Sequence, residues 1–290
     1  MYYKYSGAGN TFAIVDGRDE DPAQLSSLLT PESIELVCTE LTTDGMMVLK
    51  ASEAHDFAME YYNRDGSGGM MCGNGGRCIT AFADHVGIKP ADGKTYHFEA
   101  PDGVHTAEIL SRDGYECVVR LGMLDVPEIV YYRELSEAPV DGYFLNTGTR
   151  HFVVFDADVD DIAVNGAGRV IRHCKEFEPE GTNVNFVCPY AGGLKVRTFE
   201  KGVEEETMAC GTGVVASAIA AYRQGIEPSS READGRVRYK VRARIADLTV
   251  DYIPGAALGG DASEGASGNV CPPVATSVFL TGPASLIYMA

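Results

Sequence analysis

The stretch MMCGNGGRC, residues 70–78, sets a cysteine against glycines immediately before an apolar segment. The stretch MACGTGVVA, residues 208–216, repeats this arrangement. The two cysteines, Cys72 and Cys210, lie 138 residues apart in a chain of 290 residues. Because this spacing is close to half the chain, we interpret the repeat as two structurally similar halves whose sequences have diverged.

Short segments of alternating apolar and polar residues surround both loops and predict strands. These segments are TFAIVD, MMVLKA, DFAMEYYN, TYHFEA, ECVVRL, HFVVFD, TNVNFV, LKVRTFE, LTVDYI and TSVFLT. Helical patterns are fewer, and they predict helices at residues 31–39, 77–86, 164–174 and 214–223. The predicted fold class is therefore mixed α/β, with more strand than helix.

The position of the repeat also predicts the division of the chain. We expect an N-terminal half at residues 1–122, joined by C-terminal strands at 277–290, and a C-terminal half at residues 123–276. The segment 254–273 is rich in Gly, Ala and Ser. Such a composition predicts a flexible insertion before the last strands.

Composition and charge exclude several classes of function. A net charge of −18 and a pI near 4.7 argue against nucleic acid or an anionic membrane as the partner. No segment approaches the roughly 20 apolar residues of a membrane span, and the N-terminus lacks the pattern of a signal peptide. We therefore expect a cytoplasmic protein whose eight cysteines are reduced thiols.

A Cys-Gly-x-Gly loop at the start of a helix combines a reactive thiol with an anion site. The helix end is expected to lower the pKa of the thiol, and the glycines and free N–H groups can hold a carboxylate. Two such loops facing each other across a cleft would place an α-carbon between two sulfurs. One sulfur would then remove a proton and the other would deliver one, which inverts the carbon without a cofactor or a metal.

Other interpretations of the loops stay open at this stage. A single loop of this kind is more typical of a buried structural cysteine. Cys72 and Cys210 could instead form the redox disulfide of a thiol–disulfide protein, or the loops could bind carboxylates without catalysis. A phosphate-binding P-loop is excluded, because the Lys-Ser/Thr ending is missing. Cys72 and Cys78 lack further metal ligands at suitable spacing.

Five motifs in this chain resemble, in the same order, those of the diaminopimelate epimerase family. They are GAGNTF (7–12), NRDGS (63–67), CGNGGRC (72–78), GTNVNF (181–186) and CGTG (210–213), and the resemblance resumes at FLTGPASLIY (279–288). The resemblance implies two pseudo-symmetric halves, each a curled mixed β-sheet around a central helix, with the active site in the cleft between them. It implies a cofactor-independent isomerase that interconverts LL- and meso-2,6-diaminopimelate in lysine and peptidoglycan precursor biosynthesis.

The resemblance also implies roles for individual residues. Cys72 and Cys210 become the catalytic acid and base, and His151 and Glu200 lie beside them and adjust them. The residues implied to bind substrate are Asn10, Asn63, Gly73, Asn74, Thr149, Asn183, Lys201, Gly211 and Thr212. Ordinary alternatives exist, since asparagines beside glycine often form turns and a glutamate in an acidic run is usually a solvated charge.

Three positions depart from the family pattern. Thr11 stands where aspartate is common, Arg150 stands where proline is usual, and Lys201 replaces an arginine. Arginine would grip a distal carboxylate with two parallel hydrogen bonds, whereas lysine offers a point charge. The motifs therefore indicate the type of reaction more clearly than the substrate. The alternative that the protein is a racemase of another amino acid, such as histidine, stays open. The expected partner is a small amino acid, with no nucleic acid or membrane, and a homodimer is left open.

Overall fold

The structure is a computed structural model that describes residues 1–69, 72–255 and 273–289. The chain divides into two compact units, one of Met1–Gly122 with Thr281–Ala290 and one of Met123–Leu280. The last strand, Ala275–Met289, contributes residues to both units. The insertion that we predicted at 254–273 lies, apart from its ends, outside the described residues.

Among its described residues, the first unit contains seven strands and three helices besides its share of the last strand. The strands are β1 (Tyr3–Gly7), β2 (Asn10–Asp16), β3 (Gly45–Lys50), β4 (Phe57–Asn63), β5 (Thr95–Ala100), β6 (Gly103–Asp113) and β7 (Glu116–Gly122). The helices are α1 (Pro22–Leu28), α2 (Pro31–Glu40) and α3 (Gly73–His85).

The strands of the first unit pair in a closed ring. Neighbours pair in order from β1 to β7, and β17 (Ala275–Met289) pairs with both β7 and β1. The pairs β2–β3 and β4–β5 are parallel and the others are antiparallel. Helix α3 connects β4 to β5, and eleven of its thirteen residues are buried. A helix that is buried almost all round lies within the core of its unit.

In the part of the chain that the structure describes, the second unit contains nine strands of its own, two α-helices and a short 3-10 helix at Lys175–Phe177. The strands are β8 (Ile129–Tyr132), β9 (Gly142–Asn146), β10 (Arg150–Phe155), β11 (Asn183–Tyr190), β12 (Gly193–Glu200), β13 (Glu205–Thr207), β14 (Ser230–Arg231), β15 (Val237–Arg242) and β16 (Asp247–Pro254). The α-helices are α4 (Val164–Arg172) and α5 (Gly211–Arg223).

The second unit repeats the connections of the first. Strands β10 and β11 are parallel and joined through α4, as β2 and β3 are joined through α1 and α2. Strands β12 and β15 are parallel, and α5 lies between them in sequence, as α3 lies between β4 and β5. Ten of the thirteen residues of α5 are buried. The repeated topology confirms the mixed α+β class, with each sheet packed against one central helix.

The predicted helices are all present, but two begin earlier than expected. Helix α2 starts at Pro31, as predicted, and Thr30 is its N-cap. Helix α3 begins at Gly73 rather than at residue 77, and α5 begins at Gly211 rather than at residue 214. Glycine has low helix propensity, yet burial of these first turns outweighs it.

The predicted strands are also present, and the sequence patterns missed seven others among the described residues. The missed strands are β1, β6, β8, β9, β13, β14 and β15, and helix α1 was missed as well. No helix in the described ranges has the length and apolar character needed to cross a lipid bilayer. The seven cysteines in these ranges are free thiols.

Candidate active site

The first cysteine loop places Cys72 at the N-cap of α3. Its backbone is extended, and its Sγ accepts a hydrogen bond from the N–H of Gly75 at 3.2 Å. The cysteine thus caps the helix as Ser or Asp commonly does. The N–H groups of Gly73 and Asn74 lie in the first turn of α3, where an α-helix supplies no backbone acceptor of its own. The loop therefore combines a half-buried sulfur with backbone donors suited to an anion.

Asn10 and Asn74, both predicted to bind substrate, lie in contact in the first unit. The amide of Asn74 donates to Oδ1 of Asn10 at 2.5 Å. The Oδ1 of Asn74 in turn accepts from the guanidinium of Arg77 at 2.7 Å. The approach of β1 to α3 is close, because a Cβ on Gly7 would lie 2.6 Å from the carbonyl oxygen of Asn74.

Arg77 is a charged residue that the motif analysis did not single out. Its side chain is fully buried and donates to the carbonyl oxygens of Gly73 at 3.1 Å and Pro283 at 3.3 Å. Burial lowers its pKa to about 10, and the nearby thiols of Cys78 and Cys72 act in the opposite direction. At neutral pH the guanidinium therefore remains charged, within electrostatic range of Cys72. The sequence signal was an arginine inside an otherwise apolar helical pattern.

Asn63 lies at the exposed end of β4. Its side chain donates to Oγ of Ser67 at 3.0 Å, and its backbone N–H donates to the Ser67 carbonyl at 2.9 Å. These bonds close the turn that contains Gly66, which has a φ of +78°. Asn63 therefore forms a turn, and its role in substrate binding stays a prediction.

The second cysteine loop places Cys210 at the N-cap of α5. Its side chain is 9% exposed, and Sγ lies 3.4 Å from Oγ1 of Thr212. The carboxylate of Glu200 lies close enough to interact with the thiol. Glu200 also accepts a hydrogen bond from the hydroxyl of Thr207 at 2.5 Å. The structure therefore brings Cys210, Thr212 and Glu200 together within the second unit.

The expectation that the helix end lowers the pKa of this thiol is wrong for Cys210. Burial raises the pKa of Cys210 above its ordinary value, and the negative charge of Glu200 raises it further. The hydroxyl of Thr212 acts in the opposite direction but does not offset these effects. Burial disfavours the charged thiolate, so Cys210 holds its proton at neutral pH.

His151 lies behind Cys210 in a network of buried polar groups. Its Nε2 is 2.9 Å from Oγ1 of Thr149 and 3.0 Å from Oγ1 of Thr212. Its Nδ1 lies 3.0 Å from the amide nitrogen of Asn185, and the Oδ1 of Asn185 accepts from the hydroxyl of Thr198 at 3.0 Å. His151 is thus a fully buried residue linked through hydroxyls to the cysteine loop.

Asn183 and its neighbours lie at the edge of this network. The amide of Asn183 donates to the carbonyl of Arg150 at 3.0 Å and to Oγ1 of Thr149 at 3.4 Å. Its Oδ1 accepts from the backbone N–H of Lys201 at 2.8 Å. The side chain of Lys201 is exposed. Asn183 is therefore fixed by backbone groups, and substrate contacts of these residues stay predictions.

Arg150, one of the departures from the family pattern, is engaged elsewhere. Its guanidinium forms an ion pair with the carboxylate of Glu180 and lies 5.1 Å from the ring centroid of Phe144. An arginine held in this way has lost part of its capacity to bind a further carboxylate. These contacts therefore give no sign that Arg150 takes over the role of the arginine that Lys201 replaces.

We predict that neutral His151 makes stability fall as the pH falls. Burial lowers its pKa from 6.5 to about 3. The unfolded chain therefore binds one proton more than the folded chain between these values, and the free energy of unfolding falls by about 1.4 kcal/mol per pH unit from this group. Urea unfolding of the wild type and of His151→Gln between pH 7 and pH 4 measures the difference.

The control for this experiment is His173→Gln, because His173 is largely exposed. This variant should keep the pH dependence of the wild type, whereas His151→Gln should show a flatter one. Equal slopes for the wild type and His151→Gln would show that the imidazole is not held neutral in the folded protein.

Comparisons with known proteins agree with this arrangement of loops and helices. The family model for diaminopimelate epimerase matches residues 2–125 and 143–243. The diaminopimelate epimerase of Chlorobaculum tepidum is 42% identical over 242 residues, which are 82% of this chain and 88% of that protein. The diaminopimelate epimerase of Aquifex aeolicus is 40% identical over 237 residues, 78% of this chain and 82% of that protein.

The fold is shared more widely than the sequence. The crystal structure of a probable proline racemase from Agrobacterium radiobacter K84 matches with a TM-score of 0.64 and 18% identity, and the match covers 100% of this chain and 92% of that one. At this identity the likeness concerns the fold alone. On the family model and the two relatives, the chain belongs to the diaminopimelate epimerase family and is an isomerase of the amino-acid epimerase class.

Proposed function

We propose that this protein interconverts LL- and meso-2,6-diaminopimelate, and that Cys72 and Cys210 transfer the proton at the reacting α-carbon. One sulfur takes the proton as the C–H bond breaks, and the other donates its own proton to the opposite face of the carbon. The backbone N–H groups of Gly73, Asn74, Gly211 and Thr212 would hold the carboxylate and the negative charge that develops on it. The chemistry uses only groups of the chain, without a cofactor.

The observation that supports this proposal is the recurrence of one loop in two topologically equivalent places. Each cysteine is the N-cap residue of the buried central helix of its unit. Each helix lies in sequence between two strands that pair in parallel, β4 and β5 for α3 and β12 and β15 for α5. A single capping cysteine is compatible with a structural role, whereas two equivalent ones in an epimerase family fit the two sulfurs that a two-base inversion requires.

The two sulfurs differ in their electrostatic surroundings, which favours distinct protonation states. The buried guanidinium of Arg77 lies within electrostatic range of Cys72. Five residues after Cys210 the second helix has Val215 instead, and the charged neighbour of Cys210 is the Glu200 carboxylate. A nearby cation stabilises a thiolate and a nearby anion destabilises it. We therefore assign the thiolate to Cys72 and the thiol to Cys210 before substrate binds.

This assignment predicts which cysteine reacts first with an alkylating reagent. Iodoacetamide at pH 7 should modify Cys72 about tenfold faster than Cys210, because the thiolate is the nucleophile. Peptide mass spectrometry after timed quenching measures both rates. In Arg77→Met the modification of Cys72 should be slower, and Arg120→Met serves as the control for loss of an arginine. Faster modification of Cys210 in the wild type would contradict the assignment.

The distal end of the substrate site motivates a second candidate. Lys201 replaces the arginine expected from the family resemblance, and Arg150 is paired with Glu180. These residues would therefore offer a weaker grip on a distal carboxylate. A racemase of another amino acid, such as histidine, is the alternative that this observation favours. Asn63 and Asn183 would contact the distal end in either case, and Asn10 and Thr149 would also bind the substrate.

The test is incubation of the purified protein with LL-diaminopimelate in D₂O, beside a panel of other L-amino acids. We expect the meso isomer to form with deuterium at one α-carbon, as measured by NMR and chiral chromatography. If deuterium entered the α-position of another amino acid and not of diaminopimelate, that amino acid would be the substrate and the first proposal would be wrong. Reversible thiol oxidation with a partner and no exchange on any amino acid would indicate a redox protein. Carboxylate binding that survives in both Cys→Ala variants without turnover would indicate a binding module.

The proposed reaction places the protein in the biosynthesis of lysine and of peptidoglycan precursors. We accordingly propose a cytoplasmic location and a small amino acid as its partner, with no nucleic acid or membrane. A homodimer is a further proposal, and analytical ultracentrifugation of the purified chain would decide it.

A further inference from the structure

Asn185 is a polar residue in a fully buried position, and it has no role among those that the sequence motifs imply. It lies on β11, where its neighbour across the parallel pair is Val153 of β10 and its antiparallel neighbour is Thr198 of β12. A buried amide is costly unless its donors and acceptor are satisfied. Here the side chain bonds to His151, Phe152 and Thr198.

These bonds fix the orientation of the amide. Nδ2 of Asn185 lies 3.5 Å from the carbonyl oxygen of Phe152, which can only accept, and 3.0 Å from Nδ1 of His151. If the amide were flipped, its oxygen would face the carbonyl oxygen of Phe152, and two acceptors cannot form a hydrogen bond with each other. The amide nitrogen can only donate, so Nδ1 of His151 must be the unprotonated nitrogen. Because burial keeps the imidazole neutral, its single proton lies on Nε2.

The position of this proton sets the direction of the hydroxyl bonds that follow. Nε2–H donates to Oγ1 of Thr212 at 3.0 Å or to Oγ1 of Thr149 at 2.9 Å, and the two hydroxyl oxygens are 3.0 Å apart. Thr212 accepts directly when Nε2–H bonds to it, and it accepts through Thr149 when the Thr149 hydroxyl donates to it, a direction that the contact between the two hydroxyls allows. Its own hydrogen is then free to point at Sγ of Cys210, 3.4 Å away. In the other tautomer Nε2 is unprotonated, so the hydroxyl of Thr149 or Thr212 would have to donate its hydrogen to Nε2.

We propose that Asn185 is a positioning residue that holds the proton of His151 on Nε2. Through this tautomer it directs the hydroxyl hydrogen of Thr212 toward Sγ of Cys210. The inference rests on the proposed function, in which Cys210 becomes a thiolate when it gives its proton to carbon. A donor that already points at the sulfur stabilises that thiolate without reorganisation.

The first test is the tautomer itself. Six histidines labelled with ¹⁵N give separate ring signals, and the signals missing from His151→Gln identify His151. At pH 7 we expect Nε2 protonated and Nδ1 unprotonated in the wild type. In Asn185→Leu, which removes the donor at similar size, both tautomers should be populated. A wild-type imidazole protonated at Nδ1 would overturn the inference, even if Asn185→Leu fails to fold.

The second test is a double-mutant cycle on the reactivity of Cys210. At pH 9, Asn185→Leu should slow iodoacetamide modification of Cys210 about fivefold, and should have no further effect when Thr212→Val is also present. The buried hydroxyl of Ser217, which bonds the Gly213 carbonyl, provides the control Ser217→Ala, with wild-type reactivity. If Asn185→Leu slowed the modification of Cys210 equally in the wild type and in Thr212→Val, the effect would be a general structural one, and the inference would be overturned.

Kinetics of the epimerase give the functional consequence. We expect Asn185→Leu to lower kcat about tenfold at unchanged KM, because the effect falls on the transition state. The measurement of the tautomer and the double-mutant cycle can both be made without catalytic turnover. Absence of epimerisation with every amino acid would therefore refute the proposed function, whereas those two readouts decide the role of Asn185.

Discussion

Serine in place of either Cys72 or Cys210 is expected to lower the rate of epimerisation by about 10²- to 10⁴-fold, the usual contribution of a general acid or base. A hydroxyl replaces the thiol at similar size, but its pKa is too high for a base at neutral pH. Inversion requires one proton to leave one face of the carbon and another proton to reach the opposite face. Loss of either sulfur should therefore slow inversion by such a factor, and the double variant should be no worse than the poorer single one.

The single variants should differ in the stereoisomer on which they act. In Cys210→Ser, Cys72 still reaches one face, so α-proton exchange with D₂O should persist for one isomer without inversion. In Cys72→Ser, exchange should be confined to the opposite isomer and should be much slower, because Cys210 holds its proton at neutral pH. Cys188→Ser, which alters a buried cysteine of β11, should retain the wild-type rate. Inversion at the wild-type rate in either catalytic variant would contradict the two-sulfur mechanism.

Alanine in place of Gly213 is expected to damage both stability and activity. Its Cβ would lie 2.4 Å from Oδ1 of Asn185, 3.2 Å from Cε1 of His151 and 3.3 Å from Cβ of Cys210. Overpacking of a buried site typically costs about 1–3 kcal/mol. Because displacement of Asn185 and His151 also disturbs the hydroxyl that bonds Cys210, we expect kcat to fall about 100-fold. Urea unfolding and initial rates measure the two effects.

The matched control is Gly166→Ala in α4. A Cβ at Gly166 would meet no atom within 4 Å, and alanine in a helix is favoured over glycine by about 0.5–1 kcal/mol. This variant should keep its activity and unfold at the same or higher urea concentration. If Gly213→Ala behaved in the same way as Gly166→Ala, the packing of the His151 network against α5 would not matter for Cys210.

Local patterns identified the fold class and most of the long elements. Apolar and polar residues alternate in TYHFEA and LTVDYI, and both segments are strands within one residue of the predicted bounds. Thr30 caps α2 as its sequence indicates. The missed strands include β13 and β14, which are only three and two residues long. Such strands form because a neighbour pairs with them, which no local pattern records.

The candidate site shows the same limit at the level of side chains. The repeated glycine motif indicated where Cys72 and Cys210 lie, because a capping position is encoded locally. The importance of Arg77 and Asn185 could not be read in this way, since it depends on burial and on partners from other strands. The raised pKa of Cys210 likewise reflects burial and Glu200, which outweigh the helix end that the sequence showed.

The most direct test of the central claim is the isotopic composition of product and remaining substrate at the initial rate in D₂O. If the proton removed by one sulfur is replaced from the other, every product molecule carries deuterium at the inverted carbon while unreacted substrate keeps its protium. Transfer of protium from substrate into product, or deuterium entering the substrate before product forms, would contradict a reaction in which two cysteines serve opposite faces of one carbon.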